Sequence, residues 1–549
     1  MTVRQIRGEP TTVVGVLRAA AEVNPEVEAY VEVAGPGASG LVPTGPDGRR
    51  RMTIAQWDQS ADAVAALLAA EGVAKGSVVA LLVPSSIDYA VCYQAAARLG
   101  AITTGLNLRL GAAELASILA RVRPAVTVVD TDLVAADAVP AGAGAIVPRA
   151  SLGDAAGSDR PRLPTLEARD PVAIVWTSGS TGVPKGALFD HDNLRAVAAG
   201  TDVLSAPGDR RLSPLPFPHV GYMTRPWDEI AHGVTTIITP QPWTAAGAIE
   251  LMSAERVTVG QGVPTQWALV LAHPDFEGAD LSHLRIAGTG AARVPPELVR
   301  DMVARLGCPV VVRYTSTETS LGTGTAPGDD VDVVATTVGR PVPGVELEVL
   351  SDDGTPAAPG VVGRVRLRSG AAMRGYVGDL AAGELIDAGA TASVVDEAGW
   401  VTTGDLGELG EDGNLRLAGR SSEMYIRGGY NVYPGEVEAV LGEVPGVTQV
   451  AVVGGPDPVL GEIGVAFVVL APGASVDLDT VVSACRSRLA DYKAPDRLCV
   501  VEELPVTTMA KIDKRALAGA AAEAAARTPA AEADERTAAA RPAKERVTT

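Results

Sequence analysis

The chain has 549 residues, 47% of them hydrophobic, with 66 acidic against 46 basic side chains and a formal net charge of −20. That length exceeds what one hydrophobic core organises, so two or more domains are expected. An acidic surface opposes nonspecific nucleic-acid binding but leaves room for an anionic nucleotide held by a local basic pocket. The four cysteines, Cys92, Cys308, Cys485 and Cys499, have no CxxC spacing, which argues against a zinc site or a disulfide framework. Met1 to Arg7 lack the apolar core of a signal peptide. Runs such as Val78 to Val83 are too short to span a bilayer, so a cytoplasmic protein is expected.

Residues 1 to about 50 read as irregular, with Gly35 to Arg51 a hairpin or loop. Thr53 is a plausible N-cap for an amphipathic helix reaching Glu71. Val78 to Val83 is a buried strand, Ser85 to Leu99 a helix, Ala112 to Arg121 another, and Val126 to Asp130 a further strand. Alternating strands and helices predict a layered α/β sheet. Residues 131 to 165 are rich in Ala, Gly and Pro and read as a surface connection. The apolar run Pro171 to Trp176 then leads into Thr177-Ser178-Gly179-Ser180-Thr181-Gly182-Val183-Pro184-Lys185-Gly186. Glycines there let the backbone curl around an anion. Hydroxyls and N–H groups donate to phosphate oxygens, and Lys185 adds a mobile charge. Pro184 stands where a Walker A loop needs glycine, so the string is a different phosphate loop.

Beyond it, Arg211 to Gly221 is too rich in proline for a helix and reads as a strand entering a cleft loop that carries His219. Ile237 to Met252 repeats the strand–helix theme, Gly260 to Trp267 opens a helix, and Arg285 to Ala292 is a strand ending in small residues. After the strand Val310 to Val312, Tyr314 can stack on a purine, Thr317 can donate to an α-phosphate and Glu318 can ligate Mg²⁺. Gly339 to Leu367 reads as a small antiparallel barrel. Asp405, beside Gly404, can accept bonds from both ribose hydroxyls. From Ser421 to residue 517 a small α+β domain is expected. Residues 518 to 549 read as a disordered or partly helical tail without an apolar face.

The phosphate loop, Tyr314 to Glu318, Asp405 with Arg420, and Lys511 stand in an order that resembles the adenylate-forming superfamily over roughly residues 50 to 517. That superfamily includes acyl-CoA synthetases, nonribosomal adenylation domains and firefly-type luciferases. The segment Arg427 to Pro434 is most similar to free-standing CoA ligases. The resemblance implies a large N-terminal domain (1–420) of layered α/β subdomains plus a small β-barrel, then a small mobile α+β lid (421–517). It implies ATP, Mg²⁺ and CoA as cosubstrates and cofactors, and a carboxylic acid activated as acyl-AMP. Thr181 and Lys185 would be the principal loop donors. Lys511 would offset charge in adenylation, Arg420 would lie near the ribose and phosphates, and Ser422 would occupy the hinge. Gly428 and Gly429 would line the pantetheine tunnel, and His219, in the acyl pocket, would gate between the acyl and thiol channels.

Gly262, Gly288, Gly290, Ala291 and Ala292 would line an acyl pocket and leave it roomy, while Thr315, where the family has glycine, narrows one wall. The implied acid is a ring, a branched acid or a medium chain. Ala510 replaces the glycine before Lys511, so a bias toward the thioesterification half-reaction, with acyl-AMP from a partner adenylating enzyme, stays open. So do transfer to an acyl-carrier protein, luciferase-like oxygenation, a non-catalytic acyl-adenylate binder and a homodimer.

Overall fold

The strand–helix alternation of the sequence builds two large sheets in a computed structural model, which describes residues 3–6, 8–34, 40–135, 138–155, 162–177, 184–428, 430–507 and 511–527. The chain separates into two compact units, Met1–Thr403 with Gly407–Leu417, and Gly404–Leu406 with Ala418–Thr549. Among the described residues no helix is long and apolar enough to cross a membrane.

In the larger unit, one sheet has seven strands. Its order runs from the edge strand Gly375–Tyr376 through Lys185–Asp190, Pro171–Thr177, Ile102–Gly105, Val78–Leu82 and Val126–Val129 to Ala145–Pro148. The central strands are parallel. Val78–Leu82 and Val126–Val129 are buried at every residue, as strands covered on both faces must be, which is why they read as unbroken apolar runs. Helices cover them. Ile54–Ala70 starts at a capping box in which the Thr53 hydroxyl accepts from the Gln56 N–H and the Gln56 amide accepts from the Thr53 N–H. Ile87–Arg98, capped by Ser86, is buried along its whole length. A second sheet, of nine strands, holds Ile286–Gly290 and Val259–Gly262 near its middle, beside Val310–Tyr314.

Three expectations need correction. The first 50 residues are not irregular. Val13–Val23 is a helix capped by Thr12, burying Val13, Val14, Val16, Leu17 and Ala20, and Glu28–Val33 pairs antiparallel with Arg49–Thr53. The connection 131–165 contains the strand Ala145–Pro148, held by parallel pairing with Val126–Val129 at the sheet edge. The expected barrel is a four-stranded sheet whose order runs Val345–Leu350, Gly363–Ser369, Val401–Leu409, Leu415–Arg420 without returning to its start.

The smaller unit is built on a five-stranded sheet centred on the hairpin Val447–Asp457 and Gly461–Leu470. Its last helix, Lys514–Arg527, extends into the segment expected as a tail. The described residues of that segment do turn apolar side chains inward, at Ala518 and Ala521. Leu517 and Ala521 are buried with Ala451, Val453, Val465, Phe467 and Leu504, and Ala518 packs against them.

Below the nine-stranded sheet lies a buried ion network. Asp228 is fully buried and accepts from the Thr201 hydroxyl at 2.8 Å, the Ser205 hydroxyl at 2.9 Å and the Arg225 guanidinium at 3.1 Å. Its neighbour Glu229 is pushed up to about 7 by burial, with Arg211 and Arg225 opposing and Asp228 reinforcing the rise. A carboxyl raised on folding contributes stability that is complete below its unfolded range near 4.5 and is lost as pH climbs through 7. Glu229→Gln removes the ionisable proton and keeps the shape. It is expected to raise unfolding stability at pH 8 by about 1 kcal/mol or more and to change it little at pH 4. Urea unfolding at both pH values checks this, and an equal shift at both would contradict it.

Candidate active site

The phosphate loop is bracketed by two strand ends. Pro171–Thr177 and Lys185–Asp190 are antiparallel, with Thr177 opposite Lys185, and the Thr177 hydroxyl donates to the Lys185 carbonyl at 3.4 Å. Ser178, Gly179, Ser180, Thr181 and Gly182 lie outside the described residues. On the far side of Lys185–Asp190, the short strand Gly375–Tyr376 pairs Tyr376 with Ala187. Lys185 and Ala187 are two residues apart and share a face, so Tyr376 becomes a diagonal neighbour of Lys185. The Lys185 ammonium accordingly lies 5.0 Å from the centre of the Tyr376 ring.

Tyr376 also reaches Glu318. Its phenol donates to Glu318 Oε1 at 2.7 Å, and the Met373 N–H donates to the Glu318 carbonyl at 2.7 Å. Burial pushes the phenol well above its usual range, and the Glu318 charge adds to this, so Tyr376 stays protonated and keeps donating. Sequence reasoning missed Tyr376. Its local signal is Gly375 at φ 153°, where a Cβ would stand 2.8 Å from the Thr391 hydroxyl, marking a tight approach just before the aromatic ring.

Glu318 sits in a turn braced by hydroxyls. Buried Thr319 accepts from the Ser316 N–H at 3.1 Å and shares a bond with the Ser316 hydroxyl at 3.2 Å. Thr315 donates to the Ser316 carbonyl at 3.2 Å, and Thr317 is half-buried in the same turn. The Tyr314 ring packs among Val349, Val365, Leu367 and Leu415 and is 9% exposed, so the face left for a purine is narrow.

The small residues of the expected acyl pocket do not leave the open space their size suggests. A Cβ at Gly262 would lie 3.0 Å from Nε1 of Trp267, whose indole fills that side and donates to the Gly288 carbonyl at 3.1 Å. A Cβ at Gly290 would meet the Arg313 carbonyl of the next strand at 2.2 Å. Only Gly288 has ordinary clearance, with Leu204 at 3.4 Å. Ala291 takes φ 62°, a conformation alanine disfavours. His219 caps the short helix Val220–Met223, its Nδ1 accepting from the Gly221 N–H at 3.3 Å. Beside it Phe217 stacks on Tyr222 with ring centres 3.6 Å apart.

The smaller unit gathers the other predicted residues. Arg420 Nε pairs with Asp405 Oδ1 at 3.1 Å, so the carboxylate expected at a ribose already has a guanidinium partner. Lys511 stands near this pair. Burial pushes its ammonium below the usual range and the Arg420 charge adds to this, while Asp405 opposes. Lys511 is held by its backbone, donating to the Thr507 hydroxyl at 3.3 Å and accepting from the Thr507 N–H at 2.6 Å. Ser422 lies in an exposed turn closed by the Glu423 N–H on the Arg420 carbonyl at 3.0 Å. Gly428 has φ 57° and donates its N–H to the Leu460 carbonyl at 2.8 Å. Gly429 and Ala510 lie outside the described residues.

A family model described as AMP-binding enzyme matches residues 17–377, and one described as AMP-binding enzyme C-terminal domain matches residues 436–511. The chain belongs to the AMP-binding enzyme family. This AMP-binding enzyme is 36% identical over 485 residues to an indoleacetate–CoA ligase of Aromatoleum aromaticum, covering 85% of the chain and 92% of the relative. It is 34% identical over 520 residues to a long-chain-fatty-acid–CoA ligase of Mycobacterium tuberculosis, covering 91% and 97%. Its fold is similar to the solved structure of ATP-bound MatB from Rhodopseudomonas palustris, with a TM-score of 0.81, 28% identity and coverage of 93% and 99%.

Among the described residues of this AMP-binding enzyme, no cluster of three or more His, Cys, Asp or Glu could hold a metal ion. Glu318, the carboxylate expected to hold Mg²⁺, has one oxygen fixed by Tyr376.

Because Trp267 fills the space beside Gly262, its truncation leaves a cavity. Trp267→Ala is expected to lower stability by about 3–5 kcal/mol. Denaturant titration checks this, and a loss under about 1 kcal/mol would show the space to be already open.

Proposed function

We propose that this AMP-binding enzyme activates a carboxylic acid with ATP and passes the acyl group to coenzyme A. It is an AMP-forming acid–thiol ligase. The observation that carries this is the match over both domains, with relatives named CoA ligases that align over 85% and 91% of the chain at 36% and 34% identity. In the first half-reaction a carboxylate oxygen attacks the α-phosphorus of ATP, the bond to the bridging oxygen breaks, and pyrophosphate leaves. In the second the thiol sulfur attacks the acyl carbon of acyl-AMP, the carbon–oxygen bond to phosphate breaks, AMP leaves and the thiol proton is released.

The first step brings anions together, so its catalysis is positioning and electrostatics. In this reading Thr177 to Gly182 and Lys185 hold the β- and γ-phosphates, with Thr181 and Lys185 the principal donors. Thr317 donates to the α-phosphate. Glu318 would hold Mg²⁺, which neutralises phosphate charge when bound. Tyr376 supports Glu318 from one side and Lys185 from the other, which is what the 2.7 Å bond and the 5.0 Å ring contact support. Asp405 and Arg420 serve the ribose and phosphates, and Lys511 offsets charge between the carboxylate and the α-phosphate. Gly428 and Gly429 serve the pantetheine arm. For the acid, a ring, a branched acid or a medium chain is favoured. Thr315 adds bulk at the reaction centre, and the indole of Trp267 fills the side of Gly262. A pyrophosphate-release series over aromatic, alicyclic and straight-chain acids tests this, and a clear preference for long straight chains would overturn it.

Lys511→Ala is expected to slow adenylation by about 10²–10³-fold while leaving thioester formation from supplied acyl-AMP in place. Single-turnover assays of each half-reaction check it, and equal losses in both would remove Lys511 from this role. Tyr376→Phe keeps the ring under Lys185 and deletes the bond to Glu318. A hydrogen bond to a charged group is worth about 1.5–3 kcal/mol, so adenylation should fall roughly tenfold to a hundredfold. A magnesium titration of pyrophosphate release should show a higher half-saturation point, and an unchanged one would separate Tyr376 from the metal.

A further inference from the structure

Lys514 is placed against its own helix. It opens Lys514–Arg527, where Asp513 caps the first turn by accepting from the Arg515 and Ala516 N–H groups, both at 3.1 Å. A cation at that end opposes the helix dipole, so local energetics give no reason for it. The reason lies across the unit. The Lys514 ammonium is 2.7 Å from Glu423 Oε2 and 2.7 Å from Glu438 Oε1. All three side chains are largely withdrawn from water, at 20%, 31% and 10% exposure. Burial alone would lower the ammonium, and the two carboxylates outweigh it and hold it above its usual range.

Each partner is anchored. Glu438 also accepts the Val452 N–H at 2.9 Å, which ties it to the central hairpin. Glu423 closes the turn after Arg420, its N–H donating to the Arg420 carbonyl at 3.0 Å. Ser421 fastens the same turn to the Asp405 strand, donating its N–H and its hydroxyl to the Gly404 carbonyl, both at 3.0 Å. The Lys514 end of the loop is thus braced to the segment that carries Asp405 and Arg420. Lys511 lies three residues earlier on that loop.

We infer that the Lys514–Glu423–Glu438 contact is a positioning brace that fixes the Lys511 loop against the Asp405–Arg420 pair for adenylation. The inference rests on the role given to Lys511 above. A brace of this kind acts on the half-reaction that uses Lys511 and leaves the other alone. A general structural role would depress both together.

The test uses the full-length enzyme and four variants, Lys514→Gln, Lys514→Arg, Glu423→Gln and Lys511→Ala. Each is assayed in single turnover from acid plus ATP, and separately from synthetic acyl-AMP plus CoA. Lys514→Gln should lose about tenfold to a hundredfold in adenylation kcat, the scale of an ångström-sized misplacement. The KM for ATP and the rate from acyl-AMP should hold. Lys514→Arg, which can still reach both carboxylates, should recover most of the rate. If Lys514→Gln does not fold, Glu423→Gln carries the same expectation, since it keeps Lys514 paired with Glu438. Equal losses in both half-reactions, or none in adenylation, would overturn the brace. If Lys511→Ala itself leaves adenylation intact, the underlying role of Lys511 falls, and the brace with it. A loss in Lys511→Ala without one in Lys514→Gln defeats the brace alone.

Discussion

The larger unit depends on the closure of a loop by paired strand ends. Thr177 and Lys185 face each other across one rung of an antiparallel ladder. The same ladder sets the direction of Lys185. Its outer neighbour, the two-residue strand at Gly375–Tyr376, then brings an aromatic ring under the ammonium and a phenol against Glu318. One pairing register therefore joins the loop, the cation and the carboxylate. A slip of a single residue would turn Lys185 to the opposite face.

Much of the fold was legible because parallel strands are covered on both sides. Val78–Leu82, Val126–Val129 and the valines of Val310–Tyr314 read as apolar runs for that reason, and the helices Ile54–Ala70 and Ile87–Arg98 on either side of the first carry caps at Thr53 and Ser86. What was missed was held by distant partners. Ala145–Pro148 is only four residues long within an Ala-, Gly- and Pro-rich stretch, and it is held as a strand by pairing with Val126–Val129. Val13–Val23 has Gly15 and four valines, a composition that weakens helix propensity, yet burial of one face decides for helix.

The candidate site divides in the same way. Glu318 and Lys185 stand out in the sequence as polar residues near apolar strands, and Asp405, Arg420 and Lys511 through their order along the chain, which resembles the family's. Tyr376 does not, because its role comes from a ladder contact with Ala187, far away in sequence. The room expected beside the pocket glycines is limited for a different reason. Glycine in a strand signals that something comes close, and it does not say whether that is a ligand or the protein itself. At Gly262 it is an indole, and at Gly290 a carbonyl of the neighbouring strand.

The path of the chain has a consequence for dissecting the enzyme. Residues Gly404–Leu406 belong to the smaller unit although Gly407–Leu417 return to the larger one. The chain therefore passes between the units three times, and no single cut in the sequence separates them cleanly. A fragment beginning at Ala418 would carry Arg420 and Lys511 without the carboxylate of Asp405. Two cations would then face each other with their counter-ion missing. The isolated piece would report the charge state of a severed pair, and nucleotide affinities measured on it would not transfer to the whole chain.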